Sequence, residues 1–173
     1  MTIFLITTIL FLIIYLIILF YLIYMAYSMF SGAPFVPTKM EKVKKMIKIS
    51  GLKEGEKMID LGSGDGRIVC EAAKTGAECV GVEISPFLYW WSKRKAKLKG
   101  LKNVKFLRDS LWNIDLSEFN LITIYFIPHR MKKLYKKIKS EMKPGSRVVS
   151  YAFTFPDWQS VSKYDNIYVY VVE

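Results

Sequence analysis

Charge is missing from the first part of this chain. No Asp, Glu, Lys, Arg or His precedes Lys39. Two other scarcities limit the chemistry. There is one histidine, His129, and there are two cysteines, Cys70 and Cys79, in no close-spaced pair. Neither an ordinary zinc site nor a disulfide framework can be built from these, so no metal is expected. Acids are also outnumbered, 15 against 26 basic residues, for a net charge of +11. At 173 residues the chain has room for one ordinary domain and an appendage. No internal repeat is present, and the only biased segment is the uncharged one at the start.

That segment is the appendage. From Ile3 to Tyr27 only Thr7 and Thr8 are clearly polar. A helix over Ile3–Tyr24 would be roughly 33 Å long, enough to cross a bilayer core. Tyr21, Tyr24 and Tyr27 gather at its end, where amphipathic rings favour the interface. A cleaved signal peptide is the alternative. It fits less well, because the apolar run is too long, no basic residue precedes it, and Pro34 follows the small residues Ser31 and Ala33. Lys39, Lys42, Lys44, Lys45 and Lys48 lie just beyond the run. Positive residues stay on the cytoplasmic side. The expectation is a single-pass membrane protein with its N-terminus outside and residues 39–173 cytoplasmic. The expected parts are an anchor over residues 1–30, a linker and leading helix over 31–50, and a domain over 51–173.

The remainder alternates. "TKME" at Thr38–Glu41 has the capping-box pattern and predicts a helix to about Ile49. Strands are predicted over Lys57–Leu61, Cys79–Glu83, Val104–Arg108, Leu121–Phe126 and Arg147–Phe153. Helices are predicted over Gly66–Lys74, Pro86–Lys99 and Pro128–Met142. "NIYVYVV" reads as a last strand. Too little chain precedes it for another helical crossover, so it should return antiparallel beside the fifth. The fold class is α/β, with a Rossmann-like, mostly parallel sheet covered by helices on both faces.

"MIDLGSGDGR", Met58–Arg67, therefore follows the first strand and opens a helix at the carboxyl edge, where such sheets bind ligands. Gly62 and Gly64 begin a G-x-G pattern, but Arg67 stands where the third dinucleotide glycine belongs. A pyrophosphate beside Asp60 and Asp65 would also be repelled. No G-K-[ST] follows, which excludes a P-loop. S-adenosylmethionine has the opposite electrostatics: an ammonium, a sulfonium, one carboxylate and no phosphate. Asp60 can take the ammonium. The amides of Gly62, Ser63, Gly64 and Gly66 can take the carboxylate. Glu83, followed by Ile84, ends the second strand, where an acid can hold the ribose hydroxyls. Asp109 with Ser110 ends the third and can accept from the adenine amino group, with Leu111 or Trp112 against the ring.

"DLGSGDGR" resembles motif I of the class I methyltransferases. Further stretches narrow the likeness: "PFVPT" (Pro34–Thr38), "GVEISPFLYWWSKRKA" (Gly81–Ala96), the "LW" after Asp109, and "KPGSRVVSYAFTFPDW" (Lys143–Trp158). Together they resemble the protein-lysine methyltransferases related to the ATP synthase c-subunit methyltransferase and the archaeal protein-lysine methyltransferases. The resemblance covers nearly all of residues 34–173. It implies N-methylation of protein lysine, and a lid formed by Pro37, Thr38 and their neighbours. A plain linker is the alternative for that segment.

The acceptor site should lie at the end of the fourth strand. Amino-adenine and amide methyltransferases resemble one another there in an [ND]-P-P-[YF] motif. This chain has Tyr125-Phe126-Ile127-Pro128, without the amide or acid. Tyr125 and Phe126 are candidates for a lysine channel, and strand alternation should bury at least one of them. Of Tyr151, Phe153, Phe155 and Trp158, Trp158 is the candidate for the rim. His129 reads as a surface residue. The expected partner is a protein lysine on or near a membrane. The basic stretches Ser92–Gly100 and His129–Lys143 fit anionic lipid headgroups or plain solvation; nucleic acid is not expected. Three other readings stay open: a small-molecule or lipid methyltransferase, an rRNA or tRNA methyltransferase, and a non-catalytic cofactor-binding membrane module.

Overall fold

A computed structural model describes residues 2–31 and 35–173, with the side chains of 4–23 and 35–173. The chain divides into two compact units, Met1–Phe35 and Val36–Glu173. The first is a single helix, α1 (Thr2–Ser31), with an apolar stretch Phe4–Ile23 long enough to cross a membrane. The side chains of Tyr24 and Tyr27, and Pro34 of the "PFVPT" segment, fall outside the described residues.

The second unit runs α2 (Met40–Ser50), β1 (Lys57–Leu61), α3 (Arg67–Ala72), β2 (Glu78–Val82), α4 (Pro86–Leu98), β3 (Val104–Leu107), β4 (Leu121–Ile124), α5 (Pro128–Glu141), β5 (Arg147–Tyr151), β6 (Ser162–Tyr164) and β7 (Ile167–Val171). Short 3₁₀ turns follow α3 (Ala73–Thr75) and β3 (Leu111–Asn113). The sheet order is β3-β2-β1-β4-β5-β7-β6. The first five strands are parallel, and β7 lies antiparallel beside β5, as its sequence requires. β1 pairs with β2 on one side and β4 on the other, so the order reverses between β1 and β4. That reversal opens the crevice that holds ligands in this class of sheet.

Strand alternation divides the core into two layers. Val43 and Met46 of α2, Ile68 and Val69 of α3 and Ala96 of α4 pack with Met58, Cys79, Leu121 and Val149 in one cluster. Met131, Leu134 and Ile138 of α5 are fully buried but outside that cluster, which puts α5 over the other face.

Two local readings differ from the sequence. Thr38 does not cap α2: the capping position is Lys39, and no side chain bonds there. A residue one position further out cannot reach the first free amides. Thr38 is instead buried, with its carbonyl accepting from Arg67 Nη1 at 2.7 Å. The second difference is β6, a polar, exposed three-residue strand paired with β7 across Asp165 and Asn166. Its residues lack the apolar alternation by which strands are read. The Asp-Asn connection was the available signal, and Asp165 has the positive φ, 50°, that such turns need.

Candidate active site

Motif I is packed tightly at the start of α3, where Gly66 leaves no room for a side chain. Gly66, which begins α3, has φ 74°, and a Cβ there would stand 2.7 Å from the Phe106 ring. A Cβ on Gly81 in β2 would meet the same ring at 2.7 Å and Ser63 Oγ at 2.8 Å. The loop is thereby pressed onto the ends of β1 and β2. Its amides are used internally: Gly62 and Ser63 donate to Val82 O, Gly64 to Glu83 Oε2, and Gly66 to Ser63 O. This differs from the expectation that these amides face a ligand carboxylate. The loop contributes shape instead, and beside Gly62 a Cβ would meet nothing within 4 Å.

The acids occupy three distinct environments. Asp60 is buried at the switch point, and Thr123 Oγ1, its register partner on β4, donates to it at 2.8 Å. Thr123 was not singled out from sequence; a polar residue inside "LITIYF" was its signal. Burial, and then the nearby charges of Glu83 and Asp65, push the Asp60 carboxyl up from 3.8 to about 7. Glu83 accepts from Gly64 N and Ser85 N, both at 2.8 Å, one on each oxygen, which leaves acceptor capacity on both. Asp65 is neutralised. Arg67 reaches it through Nε and Nη2 at 2.9 Å, and Lys95 joins them. Those partners hold its carboxyl below the usual range despite burial. Arg67, where a dinucleotide fold has glycine, thus ties Asp65 to the Thr38 carbonyl.

A buried acid with a raised pKa has a definite sign in stability. Between pH 3.8 and about 7 the unfolded chain has lost the Asp60 proton and the folded chain has kept it. The contribution is therefore full below 3.8 and lost as pH rises through about 7. Asp60→Asn removes this penalty. Denaturant melts should show the variant gaining up to about 4 kcal/mol on wild type between pH 4 and pH 8. Equal pH slopes in the two proteins would refute the assignment.

Asp109 is exposed and bonds its own turn, accepting from Ser110 N at 2.6 Å and Asn113 Nδ2 at 2.8 Å. Leu111 and Trp112 are half-buried in that turn, and Ile84 is half-buried beside Glu83. At the end of β4 the two aromatics part. Phe126 is buried, edge-on to Trp112 at 6.1 Å. Tyr125 is half-buried on the opposite side, 5.0 Å from Tyr151 and 6.1 Å from Phe153, between ring centroids. Ala152, at φ 69°, makes the bend between those two residues. Trp158 does not join this group. It packs on Tyr135, Phe155 and Tyr170, with Lys139 over its ring. The reason is local: the chain turns at Pro156 and Asp157, the latter at φ 62°, and lays Trp158 back on α5. The aromatics that gather with Tyr125 are therefore Tyr151 and Phe153. Pro37 is exposed beside buried Thr38, and His129 is exposed. Among the described residues no group of His, Cys, Asp or Glu could hold a metal.

This sheet order, with acids at the ends of β1 and β2 and a glycine loop between, defines a Rossmann-like methyltransferase. The chain belongs to the ANTKMT methyltransferase domain family, whose pattern residues 60–162 match. That family is S-adenosylmethionine-dependent. The ATP synthase c-subunit lysine N-methyltransferase of Rattus norvegicus is 37% identical over 126 residues, 72% of this chain and 58% of that protein. A protein-lysine N-methyltransferase of Saccharolobus islandicus (strain REY15A) is 30% identical over 150 residues, 80% of this chain and 93% of that one. The chain spans only a little over half the length of the vertebrate relatives, 58% and 54% for the rat and human proteins. Among solved structures, an RNA methyltransferase from Salinibacter ruber in complex with S-adenosyl-L-homocysteine aligns with TM-score 0.77 and 35% identity. It covers 79% of this chain and 94% of that one.

The residues fit the cofactor. Asp60 is a buried carboxyl pushed up by burial and by the charges of Glu83 and Asp65, and an ammonium against it would offset both. Glu83 has spare acceptor capacity on both oxygens for a pair of hydroxyls.

Proposed function

We propose that this chain methylates lysine side chains of a membrane or membrane-proximal protein, using S-adenosylmethionine. The observation that carries this reading is the end of β4. There Tyr125, Tyr151 and Phe153 form an aromatic cluster, and the strand end offers neither acid nor amide. When bound, the cofactor supplies an electrophilic methyl group on a sulfonium. The protein's task is alignment and desolvation. Asp60 takes the ammonium and Glu83 the ribose hydroxyls. Asp109 and Ser110, with Leu111 against the adenine, close the far end. The aromatic rings strip water from the acceptor amine and so favour its neutral form, and the tyrosine hydroxyls orient it. Pro37 and Thr38 form a strap over the site, held to motif I through Arg67. No residue is assigned as a dedicated base.

The tether belongs to the same proposal. α1 anchors the chain with its N-terminus outside and the catalytic domain in the cytoplasm, as the lysines after Lys39 favour. A cysteine placed at position 2 should react with an impermeant reagent in intact cells, and one placed near Glu173 should not. Cys70 and Cys79 are buried and give little background. The reverse labelling pattern would overturn the orientation.

One observation favours a second reading. The RNA methyltransferase from Salinibacter ruber is similar over 94% of its length, and this chain carries +11 charge. A single experiment separates the two: incubate membranes with the full chain and radiolabelled cofactor, then fractionate. Label on protein lysine is expected. Label confined to RNA, or to lipid, replaces the lysine reading with the corresponding rival.

A further inference from the structure

α4 buries one side and leaves the other bare. Leu88, Ser92 and Ala96 face inward. Phe87, Trp90, Trp91 and Leu98 are 64%, 55%, 45% and 77% exposed. At 3.6 residues per turn these four, with Arg94 among them, fall within an arc of about 100°. The Phe87 and Trp91 rings stack at 6.4 Å, and the Arg94 guanidinium lies 5.8 Å from the Trp90 ring, yet the stripe stays open to solvent. A contiguous run of large exposed apolar side chains marks a contact surface. Its flanks are basic, with Lys93 and Lys97 on one side, and α4 contains no acid.

We infer that this face of α4 is an interfacial membrane contact that rests on an anionic bilayer. The charge pattern selects the occupant: aromatic rings along the middle of the stripe, cationic chains at its edge, and nothing negative to repel lipid headgroups. Helices of this kind lie in the headgroup plane with the apolar face roughly 5–10 Å deep. α4 begins just after Glu83, so its aromatic half lies at the carboxyl edge that holds the candidate site. Docking by α4 would hold that edge at headgroup depth, where lysines flanking a membrane segment extend their amines. The inference rests on the membrane tether proposed above and adds a second point of attachment. It concerns how the domain is oriented, which a tether alone leaves free.

The test uses the full chain in vesicles with brominated acyl chains, made of phosphatidylcholine with or without phosphatidylserine. Trp112→Phe/Trp158→Phe retains only Trp90 and Trp91, and Trp90→Phe/Trp91→Phe retains only the other pair. Bromolipid quenching should be about threefold greater in the first protein than in the second, given the shallow depth of such helices. It should require phosphatidylserine and fall when Lys93 and Lys97 are changed to Glu. A nitroxide on Leu98→Cys provides a reading independent of tryptophan: its collisions with lipid-dissolved oxygen should rise on the anionic vesicles. Co-sedimentation without quenching, or quenching that ignores phosphatidylserine, overturns the α4 contact and leaves the tether intact. A chain that stays in the supernatant overturns both. Concentration-dependent self-association in place of quenching would give the face to a second copy and overturn the lipid assignment.

Discussion

Replacing Glu83 by Ala is expected to weaken S-adenosylmethionine binding by roughly 10²–10⁴-fold, since hydrogen bonds to a charged acceptor contribute about 1.5–3 kcal/mol each and two hydroxyls are involved. The same substitution strands Gly64 N–H and Ser85 N–H, which the carboxylate accepts now. A stability loss of about 1–3 kcal/mol per buried donor should accompany it. Glu83→Gln separates the two effects. Its carbonyl oxygen still accepts one amide while its NH₂ faces the other, so about half of the stability loss is recovered while the charge assistance is lost. Calorimetry on the full chain in detergent gives the binding constants, and melts give the stability. Asp60→Ala should weaken binding as well, by removing the partner of the ammonium. Unchanged affinity in both Asp60→Ala and Glu83→Ala would remove the basis of the cofactor assignment. NAD should not bind, because the buried acids Asp60 and Glu83 would repel a pyrophosphate at this edge of the sheet.

The second large effect concerns the acceptor. An ordinary lysine amine near pKa 10.4 costs about 4 kcal/mol to neutralise at pH 7.4. If lysine is the substrate, single-turnover rates should climb with pH through the neutral range and level off at the pKa of the bound amine. That plateau should lie below the free-lysine value, since apolar walls and a neighbouring sulfonium both disfavour the ammonium. Tyr125→Ala should lower the rate about 10²-fold, in keeping with misplaced alignment, while changing cofactor affinity little. Phe126→Ala should behave differently. Phe126 is 5% exposed, so its loss should cost about 3–5 kcal/mol of stability before it affects chemistry. His129→Ala should leave the pH profile in place. Mass spectrometry should show lysine adducts in steps of about 14 Da, the net gain when one H is replaced by CH₃. A flat pH profile with transfer intact would argue for a different acceptor.

Much of this was legible from residues because local and global signals agree. The period of the strands, the acids at their ends and the displaced third glycine all point to one edge of one sheet. The elements that escaped notice depend on information that sequence order hides. Thr123 matters because β4 pairs in register with β1, a relation between residues 63 positions apart. The grouping of Tyr151 and Phe153 with Tyr125, and the packing of Trp158 on α5, turn on two left-handed residues, Ala152 and Asp157. The loop amides read as anion donors because a glycine loop is open in isolation. Here the ends of β2 consume them, through Val82 O and Glu83.

The two ends of the sheet have a bearing on crowding. β3 has four residues and includes exposed Lys105; β6 has three, all exposed, and includes Lys163. Each presents only a few unpaired backbone groups and places a positive charge among them, which disfavours pairing with the strand of a neighbouring molecule. Confinement to a membrane raises the encounter rate between copies of a protein. On the proposed tethering, a sheet whose margins are this short and this charged would resist edge-to-edge polymerisation at the local concentrations that such confinement imposes.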